Sequence, residues 1–391
     1  MTFTAHDPDA HPDPHAAPEV FRYRSGPSRG VLIGLVAALV LVLGLGAGGA
    51  FYWTRLRTPP IQAVPTATPS AVTGWSSGVW TGGTWGTNRV AAFAGWRGSP
   101  ADTAVTYPAY GTWQELAEKS EWHVSVFDGF AGTLVYGLPL LPKDAAPGAL
   151  AEVAAGRHDS AFTAVAATLA RHQRSKSVIR VGLEANGDWF PWGAGKPENT
   201  PELFKAAFRR VATLMKAKLP GCTIVFDISA GAAIHGQTDR LDPLTKLYPG
   251  DDVVDVIGVD HYDHYQLVAP TQQRFDRALK PAKAAGLQDT LDFARAHRKR
   301  FAVPEWGLTS TAKRGGGDND FFIYAMYSWF AANSADLAFE NYFNEPEAYI
   351  GSSIWDQVQN PRAAAEYRAL WGARPRPKAA LTPSGSPSAA G

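Results

Sequence analysis

The segment Val178-Ile179-Arg180-Val181-Gly182-Leu183-Glu184-Ala185-Asn186-Gly187-Asp188-Trp189-Phe190 decides how this chain is read. A short β-rich run ends on a carboxylate and passes into a loop that carries a tryptophan. The pattern returns in Phe301-Ala302-Val303-Pro304-Glu305-Trp306-Gly307. A barrel of parallel strands brings such strand-end groups together across its C-terminal mouth. Two carboxylates among aromatic rings are what retaining glycosidases use, one attacking the anomeric carbon while the other protonates the leaving oxygen. Chemistry alone leaves open which glutamate takes which role.

Outward from these two segments, β-rich runs alternate with longer amphipathic ones, as in a parallel sheet with crossover helices. The candidate strands are residues 89–94, 123–127, 134–138, 178–183, 223–227, 254–259, 301–303 and 349–354. Eight strands imply a (β/α)8 TIM barrel, with Glu184 closing the fourth and Glu305 the seventh. The link between the second and third runs leaves no room for a helix, so one of those two is suspect. The apolar stripes of 161–172 and 203–219 read as core-facing helices. Asn319 or Asp320 is positioned to cap a helix over 321–331. Before it lies Lys313-Arg314-Gly315-Gly316-Gly317, expected to be mobile because consecutive glycines permit many backbone shapes and stabilise none.

Polar and aromatic groups gather at the other strand ends. Asn186 and Asp188 follow Glu184, Asp260-His261-Tyr262 ends the sixth strand, and Trp355-Asp356 is expected to end the eighth. Trp189, Trp306 and Trp355 offer faces on which sugar rings stack, within a load of 13 tryptophans. Arg180 is placed to hydrogen-bond a carboxylate, and His261 to hold a sugar hydroxyl or tune Tyr262. The substrate-binding candidates are therefore Arg180, Asn186, Asp188, Trp189, Asp260, His261, Tyr262, Trp306 and Trp355. No Cys/His cluster, phosphate-binding glycine loop or Gly-x-Ser-x-Gly elbow occurs, so neither a metal nor a cofactor is expected. The single cysteine, Cys222, begins an apolar strand and reads as a small buried side chain.

The flanks differ in composition. Residues 1–29 and 373–391 are polar or rich in Pro, Ala and Ser and are expected to be disordered. Residues 30–53 are uncharged and apolar, which predicts a transmembrane anchor. Its length exceeds a signal-peptide core, so secretion after cleavage is the lesser alternative. Residues 54–74, rich in Thr and Pro, read as a spacer holding a catalytic barrel of 75–372 outside a cell membrane crossed once. A net charge of +1, from 37 basic and 36 acidic residues, gives no field favouring nucleic acid.

The chain resembles glycoside hydrolase family 26, the β-mannanase family of the (β/α)8 glycosidase clan. The resemblance covers about residues 75 to 372 and rests on Arg180 to Trp192, Val256 to Tyr262, Val303 to Gly307 and Asn360 to Tyr367. It implies that Glu184 is the acid/base and Glu305 the nucleophile, that Tyr262 lies near the nucleophile, and that Trp189 and Trp355 border the cleaved sugar. Leu183 stands where that family usually has His, and His261 where it usually has Trp. Leucine donates no hydrogen bond, so plain β-1,4-mannan is expected to be a poor substrate. The function implied is retaining endo-cleavage of an extracellular or cell-envelope β-linked polysaccharide, with a barrel that binds glycan without cutting it as the alternative.

Overall fold

The computed structural model describes residues 74–82, 86–264, 271–310 and 315–375. Eight parallel strands close into one barrel in sequence order. They are β1 Ser76–Trp80, β2 Thr103–Thr106, β3 Thr133–Leu138, β4 Val178–Val181, β5 Thr223–Ser229, β6 Val256–Tyr262, β7 Arg300–Gly307 and β8 Leu337–Phe343. Closure is made by β1 against β8, with Ser76 opposite Phe339 and Trp80 opposite Phe343.

Three of the expected strands are corrected. Residues 89–94 lie in helix α1, Thr87–Arg97, and residues 123–127 overlap α3, Ser120–Ser125, which follows the short α2, Trp113–Glu118. Residues 349–354 lie in the loop beyond β8. The true β1 and β2 are short, and Ser and Thr point inward where a strand search expects large apolar groups. Inside this barrel Thr103 Oγ1 meets Asn341 Oδ1 at 2.6 Å, so the interior is partly a hydrogen-bonded layer.

The remaining helices are α4 Ala149–Ala154, α5 Asp159–Arg171, α6 Pro201–Lys218, α7 Asp242–Thr245, α8 Gln272–Leu279, α9 Leu287–Ala296, α10 Asp320–Ala332 and α11 Pro361–Gly372. Helix α6 shows why such sequences form helices. Thr200 caps it by accepting from Leu203 N–H, Pro201 stands in the first turn, and Phe204, Ala207, Phe208, Val211 and Met215 form one buried stripe. Strand alternation sorts the core into two layers. Val105, Val135, Val178, Val225 and Val256 fill the barrel, while Ile179, Val181, Ile224, Phe226 and Ile257 pack outward on the helices.

The membrane expectation is also corrected. No helix among the described residues is long and apolar enough to cross a membrane. Apolar composition favours transfer to lipid, but a span also requires an unbroken apolar helix of about 20 residues. Even α6, which runs from Pro201 to Lys218, carries a charged outer face. Residues 30–53 themselves lie outside the described residues, as do the expected disordered start and spacer up to residue 73. At the other end Arg374, placed by the sequence in a disordered tail, is buried and donates to Trp75 O at 2.7 Å.

The glycine loop is tied down where it is described. Gly316 N donates to Asp263 O and Gly317 N to Thr309 O, while the Asp318 carboxylate caps α11 by accepting from Arg362 N and Ala363 N. Its start, residues 311–314, lies outside the described residues.

Candidate active site

Four strand ends converge on one buried guanidinium. Arg180 points into the barrel from β4 and is fully buried. Its Nε and Nη2 grip Asp227 of β5 at 2.9 and 3.1 Å, and Nη2 also reaches Asp260 of β6. Its Nη1 donates to Glu305 Oε1 at 2.5 Å. A buried charge persists only when it is paired and hydrogen-bonded, and a guanidinium has the planar fork to bind several carboxylates at once.

The two aspartates of this group also hold backbone. Asp260 Oδ1 accepts from Glu305 N–H at 2.9 Å, and Asp227 Oδ1 accepts from Glu184 N–H at 2.7 Å. The two glutamates are thus positioned from the same ion cluster. Strand β7 bulges between Val303 and Trp306, which turns Glu305 to the mouth and Trp306 into the helix layer. Glu184 has φ of 49°, a left-handed conformation that a residue with a side chain adopts only at a local cost. The hydrogen bond that its N–H donates to Asp227 holds it there.

The environments of the two glutamates are opposite. Glu305 is 7% exposed and accepts three hydrogen bonds: Oε1 from Tyr107 O–H at 2.6 Å and from Arg180, and Oε2 from Tyr262 O–H at 2.8 Å. Among the described residues Glu184 has no cation in contact, and its Oε2 accepts from Trp189 Nε1 at 2.7 Å. Burial, then the negative charge of Glu305, push the Glu184 carboxyl up to about 8. Burial raises the Asp260 carboxyl as well, against the opposing pull of the Arg180 guanidinium.

The sequence-predicted residues divide. Arg180, Asp260, Tyr262, Glu184, Glu305 and Trp189 meet at the mouth, with Trp189 half exposed. Asp188 is exposed on the same loop. Asn186 is fully buried, clamping the β4 loop to β5 by accepting from Ser229 N and donating to Ser229 O and Ala232 O. His261 lies on the opposite face of β6 from Asp260 and Tyr262, buried against Phe322 of α10, and burial lowers its imidazole to about 4. Trp306 is fully buried, stacked on Trp371. Trp355 packs on α1, with the Arg89 guanidinium 4.3 Å from its ring centroid. It is not the end of β8; that position belongs to Phe343.

Tyr107 and Phe343 were not singled out in the sequence. Tyr107 directly follows the unrecognised β2, and its ring meets Trp80 edge-on at 5.0 Å and Phe343 at 6.3 Å. Once β1, β2 and β8 are placed, these rings form an apolar wall beside Glu305. Among the described residues no group of His, Cys, Asp and Glu is arranged to hold a metal ion.

Comparison with known proteins places this geometry. The model of glycosyl hydrolase family 26 matches residues 154–298, a stretch that holds Arg180, Glu184, Asp227, Asp260 and Tyr262 and stops short of Glu305. A mannan endo-1,4-β-mannosidase of Bifidobacterium adolescentis is 28% identical over 174 residues, 42% of this chain and 16% of that protein. Endoglucanase H of Acetivibrio thermocellus is 27% identical over 225 residues, 56% of this chain and 22% of that protein. The matches therefore span about a fifth of those relatives' lengths. A modular endo-β-1,4-mannanase from Cellulomonas fimi superposes with a TM-score of 0.55 at 16% identity, covering 80% of this chain and 75% of that one, which is a likeness of fold. With the closed barrel and the paired glutamates at its mouth, the chain is similar to glycosyl hydrolase family 26 over the matched stretch.

Proposed function

We propose that the protein is a retaining endo-acting glycoside hydrolase of β-linked glycans, with Glu305 as nucleophile and Glu184 as acid/base. The observation that carries this reading is the asymmetry between the two carboxyls. Glu305 is held by a guanidinium and two phenols, which favour its charged form, while Glu184 is pushed up to about 8 by burial and by Glu305. A nucleophile must be ionised and a general acid must hold its proton.

In the first displacement a Glu305 oxygen bonds to the anomeric carbon as the carbon–oxygen bond to the leaving sugar breaks, and Glu184 gives its proton to that oxygen. In the second, Glu184 takes a proton from water, the water oxygen bonds to the anomeric carbon, and Glu305 leaves as a carboxylate. Two inversions restore the β configuration.

Trp189 and Tyr349, 50% and 65% exposed on the loops after β4 and β8, supply stacking surfaces beside the cleavage point, as a polymer substrate requires. One relative is named for mannan and the other as an endoglucanase, so the sugar is set by this chain's own mouth. There Leu183 offers no hydrogen bond, which argues against plain mannan as the preferred backbone. The test is proton NMR of the first product released from manno-, gluco- and xylo-configured β-glycans. The β anomer is expected to appear first; an initial α anomer contradicts the mechanism, and a clear preference for mannan contradicts the substrate reading.

A further inference from the structure

We infer that Tyr107 is a positioning residue which, with Arg180, commits Oε1 of Glu305 to anchoring and leaves Oε2 as the attacking oxygen. This rests on the reading of Glu305 as the nucleophile. Oε1 accepts from Tyr107 at 2.6 Å and from the Arg180 guanidinium at 2.5 Å. Oε2 accepts from Tyr262 at 2.8 Å, its one hydrogen bond among the described residues. Attack through Oε1 would surrender two bonds, one of them charge-assisted, whereas attack through Oε2 surrenders one bond from a neutral phenol.

The seat for Tyr107 is built by a glycine. Gly137 faces Arg180 across the β3–β4 ladder, and a Cβ there would lie 2.7 and 2.9 Å from two carbons of the Tyr107 ring. The side chain of Leu183 comes within 3.6 Å of the same point, and Trp80 packs edge-on against the ring with centroids 5.0 Å apart. The direction of the phenolic proton is also fixed. Arg180 Nη1 donates to the Tyr107 oxygen at 3.2 Å, so the single O–H is left for Glu305. Burial, then the charge of Glu305, keep this phenol well above its ordinary range, so it remains a donor.

The role extends through both displacements. When Oε2 forms the ester bond, Oε1 becomes the ester carbonyl oxygen and keeps both donors. When water attacks the anomeric carbon and its bond to Oε2 breaks, the electron pair returns to the carboxylate and the same donors receive the charge. The charged and titratable groups around this carboxylate are, besides Tyr107, Arg180 from β4, Asp260 and Tyr262 from β6, Glu184, and Tyr349 from the loop after β8.

The experiment compares the full chain with its Tyr107→Phe and Gly137→Ala variants on 2,4-dinitrophenyl β-disaccharides of gluco, manno and xylo configuration. Phenylalanine removes one oxygen and no ring volume, so folding is expected to survive and is checked by a thermal melt. Alanine at 137 displaces the ring instead, giving a second route to the same loss. Both variants should lose about ten- to a hundred-fold in kcat/KM, the range of a hydrogen bond to a charged group. The acidic limb of the pH profile should move to higher pH while the alkaline limb stays. An unchanged rate and acidic limb in Tyr107→Phe overturn the inference, as does a parallel shift of both limbs. Trapping the wild type with the matching 2-deoxy-2-fluoro glycosides separates the two readings. A label on any residue other than Glu305 defeats the underlying assignment, while a label on Glu305 beside an unaffected Tyr107→Phe defeats this inference alone.

Discussion

Trp306 donates its indole N–H to the buried carboxylate of Glu340 at 2.6 Å, on the side of β7 facing away from the mouth. Glu340 also accepts from Trp371 Nε1 at 2.9 Å and Trp75 Nε1 at 3.3 Å. One carboxylate thereby joins the chain entering β1, the strand carrying Glu305, β8 and the last described helix. Replacing Glu340 with alanine leaves three buried indole N–H groups without an acceptor. A loss of about 3–5 kcal/mol is expected, read as a fall in the denaturant midpoint. A loss below about 1 kcal/mol would show that the indoles find other partners.

The alkaline limb of kcat/KM is expected to follow Glu184. Its carboxyl is pushed up to about 8, so the acid form prevails below that pH and activity should fall as pH rises through it. Glu184→Gln should abolish cleavage of unactivated polymer yet keep the glycosylation step on a dinitrophenyl glycoside, which needs no proton. Linkage fixes the sign for stability as well. A carboxyl raised in the folded state binds its proton more tightly there than in the unfolded chain. Its stabilising contribution is complete below the unfolded value and is lost as pH rises toward 8. Titration with a stability readout should show this slope flattened in Glu184→Gln.

Arg180 cannot be exchanged for lysine. An ammonium lacks the fork that reaches Asp227, Asp260 and Glu305 together. Arg180→Lys should lower kcat/KM about a thousand-fold or more, and Arg180→Met, which leaves three buried carboxylates without their cation, should destabilise by about 3–5 kcal/mol. Parallel kinetics and urea unfolding of the two variants check this, and a lysine variant within ten-fold of wild type would refute the shared-cation account.

Gly316 has no room for a side chain, since a Cβ would sit 1.8 Å from Asp263 Oδ2. That oxygen accepts from Asn319 Nδ2, whose own Oδ1 caps α10 by accepting from Phe322 N. Gly316→Ala should therefore cost about 1–3 kcal/mol, with the loss confined to the loop before α10. Hydrogen exchange at the amides of Gly317 and Phe322 is the measurement, with faster exchange expected at both.

The residues themselves determined much of this protein. Strand-end glutamates followed by aromatic loops, and β-rich runs from β3 to β7, are local patterns, so a barrel with Glu184 after the fourth strand and Glu305 in the seventh was readable. That Arg180 would bond a strand-end carboxylate was readable too, but Asp227 was not, and the sharing of one guanidinium by Asp227, Asp260 and Glu305 emerged only with the closed barrel. Strands β1, β2 and β8 were not readable. Their inward Ser, Thr, Asn and Gly make sense only beside partners far along the chain, as Gly78 does against Thr103 and Asn341. Tyr107 was hidden with β2, and the family match that ends at residue 298 omits Glu305 altogether. Tertiary structure alone decided which tryptophans reach the barrel mouth. Trp189 and Trp306 each stand beside a strand-end glutamate, yet a bulge in β7 sends Trp306 away from the mouth, into the helix layer and onto Glu340. Side-chain direction at a bulge depends on pairing with the neighbouring strand, and that pairing is settled only when the barrel closes.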